Sequence, residues 1–337
     1  MSIRWGIIGT GTHADNFIVP ALGSAGGTEL VSICDIDLNR AGEFAARHKV
    51  EGIYDSMESM LDDPKLDAVW IATPNSLHAQ QTIQAAEAGK HVMVEKPMAL
   101  TVDDCERMIE SCDRNNVKLG IDFQNRFHPV HMEARRLIQN GEIGEINAAT
   151  AQFCRGFSRG FMKGWRVDPE IAGAGALMGQ GLHPIDLLRF LLDSEVVEVM
   201  AMNDDDPPDR PVEDMAHIIL KFENGAHGIV ICGILAPRPD NDAILYGARA
   251  KISCKGTVGM WLQGELLVDG DSIDLRMGIP SGSVSGPELY VGVAEHFNQC
   301  INEGTPPLIS GSNGMQMVRI ANAIQESCRK GISVKIA

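Results

Sequence analysis

The chain has no long hydrophobic run. Its longest weakly polar stretch, AHGIVICGILA, covers about a dozen residues, short of the roughly 20 that a membrane-spanning helix needs, so no membrane helix is expected. The opening MSIRWGIIG enters a strand pattern directly, without a basic segment, an apolar helix and a cleavage site, so the expected location is the cytoplasm. Positive charge is also scarce: 29 Lys and Arg face 45 Asp and Glu, a formal net charge of −16. So acidic a chain repels a phosphate backbone, which argues against general nucleic-acid binding and leaves small ligands open. Its eight cysteines form no CxxC pair and no metal-finger spacing, and they read as reduced, buried thiols. His128 and His131 lack the carboxylate or cysteine spacing that would make them a metal pair, so no metal is expected. No internal repeat of solenoid or propeller period is present.

What is there suits about two domains, since 337 residues exceed the roughly 100 to 200 of a common domain. From Trp5 to Asp122 short apolar runs (WGIIG, LVSIC, AVWIAT, HVMVE, VKLGI) alternate with amphipathic segments such as DLNRAGEFAARHK and VDDCERMIESCDRNN. That alternation predicts a doubly wound parallel sheet with helices on both faces. After Asp122 a helical segment, HPVHMEARRLIQNG, leads into strand-like runs INAATAQF, VVEVMAM, AHIILKF, HGIVICG, KISCKG and GMWLQG, several with a period near two. The pattern predicts a largely antiparallel sheet with one solvated or partner-covered face. Loops NDDDPPDRP, APRPDND and GIPSGSVSGPE punctuate this half. A last helix, SNGMQMVRIANAIQESCRKG, ends in lysine and glycine. The expected fold is α/β followed by α+β, with domains at 1–122 and 123–337.

The first strand runs into Gly9, Thr10, Gly11, Thr12, His13 and Ala14, a GxGxxA turn that opens a helix. Glycine at 9 permits the tight turn, glycine at 11 lets a pyrophosphate approach the backbone, and small Ala14 lets helix and strand pack closely. Alone, such a turn is also an ordinary strand-to-helix connection. The second strand ends at Asp35, about twenty residues on, where a carboxylate can accept both hydroxyls of an adenosine ribose. Asp37 is placed to cap LNRAGEFAAR. An acidic group here repels a 2′-phosphate, so NAD is expected. Arg40, nearby in sequence, keeps NADP possible.

Taken with this turn, the segments ATPNSLH, EKP, NRFHP, GWR and GAGALMGQGLHPIDLLRFLL, in that order, resemble the GFO/IDH/MocA family of sugar and polyol oxidoreductases, over nearly the whole chain. The resemblance implies a Rossmann domain followed by a substrate-binding and oligomerisation domain. It implies that Glu95 and Lys96 reach the cofactor from the end of HVMVEKP, that Lys96 faces the nicotinamide and the reacting carbinol, and that a cis peptide precedes Pro97. Thr73, Pro74, Asn75 and His78 are implied to line the ribose and nicotinamide side. Trp165 and Arg166 are implied in the interdomain cleft, with Arg126 and His128 as further candidates.

Proton handling is implied for Lys96 and for His183 of a DxxxH motif whose aspartate is replaced here by Gly179. Asp186 reads as an anchor one helical turn from Arg189. The activity implied is NAD(P)-dependent hydride transfer to or from a secondary alcohol or ketone of a sugar, inositol or related polyol, by a homodimer or homotetramer. The alternatives are a redox-neutral enzyme that retains its NAD, such as an epimerase or glycoside-cleaving enzyme, and a non-catalytic ligand sensor.

Overall fold

A computed structural model describes residues 1–204, 211–270, 273–279 and 287–336; the loops NDDDPPDRP and GIPSGSVSGPE lie largely outside the described residues. The chain forms two compact units, Met1–Asp122 with Gly286–Val318, and Phe123–Ser285 with Arg319–Ala337. Among the described residues no helix is long and apolar enough to cross a membrane.

Among the described residues the first unit is built on six strands, β1 (Ile3–Ile8), β2 (Thr28–Cys34), β3 (Gly52–Tyr54), β4 (Ala68–Ile71), β5 (His91–Val94) and β6 (Leu119–Ile121). They pair in parallel in the order β3-β2-β1-β4-β5-β6. Strand β4 is buried at every position, as expected of a parallel sheet covered on both faces. Strand order reverses about β1, so the ends of β1 and β4 open the crevice where ligands of such sheets bind. Edge strand β3 was not anticipated, because three residues are too short to show a period.

The expected division into 1–122 and 123–337 needs correction, since residues 286–318 belong to the first unit. Helix Glu288–Glu303 brings Phe297 to 5.7 Å from the Trp5 ring and Asn298 to the Trp5 indole, whose Nε1 donates at 3.0 Å. Burying two large aromatics on one another outweighs the sequence distance between them.

Among the described residues the second unit carries nine strands, β7 (Ile146–Cys154), β8 (Val196–Asn203), β9 (Met215–Phe222), β10 (His227–Gly233), β11 (Ala243–Gly247), β12 (Ala250–Lys255), β13 (Glu265–Gly270), β14 (Asp274–Gly278) and β15 (Val334–Lys335). Their order is β14-β13-β12-β11-β7-β10-β9-β8-β15, antiparallel except where β10 runs parallel to β7. GMWLQG is not a strand; the chain turns there and pairs only from Glu265. In β9 alternate residues are buried, the mark of one packed and one open face. Helix Leu182–Leu192 is buried along its whole length, so its charged residues must find partners inside.

Candidate active site

In the first unit the glycine turn follows β1. Gly9 has φ of 95°, and a Cβ there would lie 2.9 Å from the Ala72 carbonyl, so only glycine fits. Around Gly11 a Cβ would meet nothing within 4 Å, leaving this side of the turn open to a phosphate group. Ala14 is fully buried at the helix start. These residues fit a dinucleotide. Thr12 is exposed, whereas Thr10 turns inward, its amide (2.9 Å) and hydroxyl (2.7 Å) donating to Asp35 Oδ2.

Asp35, expected at a ribose, is engaged within the chain on both of its oxygens. Its Oδ1 also accepts from the Asp37 amide at 3.0 Å and from Arg40 Nη2 at 2.5 Å, while Arg40 Nε reaches Oδ2 at 3.1 Å. Burial alone would raise this carboxyl; Arg40 and the Asp37 and Thr10 donors hold it below its ordinary value. The Arg40 side chain stays 51% exposed, so it can move off the carboxylate. Asp37 caps the following helix through the Asn39 and Arg40 amides.

At the end of β5, Lys96 is half-buried and the Lys96–Pro97 peptide is cis. Glu95 points into the unit, where His13 Nε2 lies at 3.0 Å and Trp70 Nε1 donates at 3.3 Å. Asp122, at the end of β6, lies beside Glu95. Burial would raise the Glu95 carboxyl, but His13 first, and Lys96 with it, hold it at about 2. His13 is thus turned to Glu95 rather than toward a pyrophosphate. The ligand atoms of His13, Glu95 and Asp122 all lie within 4.8 Å of one another, a grouping that sequence spacing does not reveal.

His78 needs correction as well. It is completely buried, with Nδ1 at 2.8 Å from the Pro97 carbonyl and Nε2 at 3.0 Å from the Thr73 carbonyl. The ring braces the segment after Lys96 against the end of β4 and offers no surface to a ligand. Burial keeps its pKa below the ordinary imidazole value. Thr73 bonds to Gln81 through its hydroxyl, Pro74 precedes a short 3-10 turn, and Asn75 is buried.

In the second unit His183 is 5% exposed, its ring meeting the edges of Phe153 at 5.4 Å and Phe123 at 6.4 Å. It follows a single π-helical turn, Leu177–Gly181. Buried Glu213 fastens the start of this turn, accepting from the amides of Gly175 (3.0 Å) and Leu177 (2.8 Å). A Cβ on Gly175 would come within 2.1 Å of the Glu213 carbonyl, which fixes glycine there. At Gly179, the expected aspartate position, a Cβ would meet nothing within 4 Å.

Arg126, a further substrate candidate, is engaged within the second unit. It is buried and doubly bonded to Asp186, Nε to Oδ2 at 2.8 Å and Nη2 to Oδ1 at 2.6 Å. The Asp186 to Arg189 contact, at 3.4 Å, is the lesser one, for Arg189 also pairs with Glu195 at 2.7 Å. Exposed Arg166 lies 4.6 Å over the half-buried Trp165 ring. His128 and His131 are both engaged, with the Gln263 and Asn125 carbonyls among their partners. Sequence reasoning missed Asp122 and Glu213; neither belongs to a motif, and Glu213 reaches its amides from a distant segment.

Residues 3–123 match the oxidoreductase family with an NAD-binding Rossmann fold, and residues 131–253 match the GFO/IDH/MocA C-terminal domain. The chain is 32% identical over 338 residues to an uncharacterized oxidoreductase, ORF334, of Rhizobium meliloti, covering 98% of each. It is 27% identical to scyllo-inositol 2-dehydrogenase (NAD(+)) of Bacillus subtilis, over 99% of this chain and 96% of that one. A levoglucosan dehydrogenase solved with NADH and levoglucosan superposes with a TM-score of 0.90 at 27% identity, covering 100% of both chains.

Proposed function

The chain belongs to the GFO/IDH/MocA family of oxidoreductases, and from that premise we propose that it moves a hydride between nicotinamide and a secondary alcohol or ketone of a sugar, inositol or related polyol, with Lys96 and His183 handling the accompanying proton. NAD, when bound, supplies the hydride acceptor. The chain's part is to bind, orient and move a proton. Gly9 and Gly11 keep the turn clear for backbone amides to meet a pyrophosphate, and Asp35 holds that turn in shape through Thr10. Lys96 would exchange the hydroxyl proton at its Nζ, with His78 fixing the segment behind it through the Pro97 carbonyl.

One observation carries the reading: the open glycine turn after β1 and the lysine after β5 lie on the same edge of one parallel sheet. The test is a screen of monosaccharides, inositols and keto-sugars with NAD(H) and NADP(H), followed by absorbance at the reduced-nicotinamide band, with Lys96→Met as control. The variant should fold and bind NAD while losing about two to four orders of magnitude in kcat. Near-normal kcat would remove Lys96 from the reaction.

The open face of the second sheet supports a homo-oligomer. Met200, Ile219 and Ile229 stand side by side across β8, β9 and β10, 45%, 50% and 49% exposed, with exposed Met202 and Tyr246 on the same face. A contiguous apolar patch of this kind marks an interaction surface, and a second copy of the sheet would cover it as a dimer or tetramer. Eight cysteine thiols, seven of them buried, suit a reducing compartment such as the cytoplasm.

A further inference from the structure

We infer that Gln180 is a specificity-determining residue that hydrogen-bonds a hydroxyl of the bound polyol. Its side chain is 8% exposed, and its Oε1 is buried without a hydrogen-bond partner among the described residues. A buried amide oxygen is normally satisfied, and one that is not marks a place where a donor is still to arrive.

The position says which donor. Gln180 precedes His183 by three residues on the Leu177–Gly181 turn and the helix it runs into, so the two side chains share a flank. Gly181 faces the other way, where a Cβ would lie 2.9 Å from Cys232 Sγ. Gly179, on the flank of Gln180 and His183, leaves the neighbouring volume open, while Phe123 and Phe153 present apolar edges to His183. An imidazole and an amide beside apolar walls and an open volume suit a ligand with an apolar ring face and several hydroxyls. A hydroxyl both donates and accepts, so it satisfies either end of the amide. Because Gly179 supplies no carboxylate, Gln180 is the neutral group that selects among hydroxyl patterns there.

This inference rests on the oxidoreductase reading, and its test separates the two. Wild type and Gln180→Leu are compared on the best polyol of the screen and on analogues of it that each lack one hydroxyl, together with NADH affinity by fluorescence quenching and Tm with and without polyol. The variant is expected to lose roughly 10- to 100-fold in kcat/KM on the parent polyol. Wild type should lose a similar factor with one deoxy analogue, and the variant should no longer tell that analogue from the parent. NADH affinity should be unchanged, and the Tm of the ligand-free variant equal or higher, because leucine leaves no unsatisfied oxygen. A lower Tm with discrimination intact would make Gln180 structural and overturn the inference. So would weakened NADH binding with discrimination intact. If no polyol is turned over yet polyol raises the Tm of wild type and not of the variant, the hydroxyl site stands and the hydride-transfer reading falls. If polyol is neither turned over nor stabilising, both fall.

Discussion

Replacing Asp35 with serine removes the acceptor of the Thr10 amide and hydroxyl and of the Arg40 guanidinium together. The loss falls on the shape of the glycine turn as well as on the ribose contact expected of this carboxylate. NAD should bind more weakly, and discrimination against NADP, measured as the ratio of kcat/KM values, should shrink. A wild-type preference for NADPH would instead make Arg40 the cofactor-selecting residue. Gly179 offers the complementary change, for it gains a side chain without collision. Gly179→Asp should leave Tm nearly unchanged and raise KM, because a carboxylate one helical turn from His183 fills volume that substrate or water would use. A gain in kcat at unchanged Tm would show instead that the glycine is a degraded form of the DxxxH site.

The helix that carries His183 is held at its start by Glu213. Glu213→Ala leaves the Gly175 and Leu177 amides buried without their acceptor and should cost about 1–3 kcal/mol, read as a lower Tm, with kcat falling as His183 loses its register. The Pro129–Gln139 helix allows a test by pH. His128 caps it through the Val130 amide, and burial lowers its pKa to about 4. The unfolded chain's imidazole titrates near 6.5, so on acidification the unfolded state takes up this proton first. The stability His128 contributes is therefore complete above about pH 6.5 and is lost progressively down to about pH 4. Asparagine keeps a cap and removes the titration, so His128→Asn should show a shallower fall of Tm across that window. A slope equal to wild type would assign the acid sensitivity to His78 and His131, which burial shifts the same way.

For the whole molecule, the apolar patch on the second sheet makes the decisive prediction. Ile219 lies between Met200 and Ile229 in the sheet register, so Ile219→Lys places a charge at the centre of the proposed interface. Light scattering should show wild type as a dimer or tetramer and the variant shifted toward monomer, with its Tm as a monomer largely retained. A monomeric wild type would remove the interface reading.

Local chemistry was legible in the sequence. The glycine turn is short-range geometry, and the apolar runs that became β1, β2, β4, β5 and β6 announce themselves because each must be buried within a few residues of chain. Family motifs in their order name Lys96 and His183 as the candidates for proton handling. GMWLQG was misread because its apolar residues suit a turn as well as a strand, and pairing partners, which decide the matter, lie elsewhere in the chain. The same reason covers the rest. Whether Asp35 faces Arg40, whether Glu95 meets His13 and Asp122, whether Arg126 is spent on Asp186, and whether Phe297 packs on Trp5 depends on which distant groups folding brings together. Composition and spacing determined that buried charges would need partners; only the tertiary structure assigned them, because a partner is chosen by proximity in space and a sequence records proximity only along the chain.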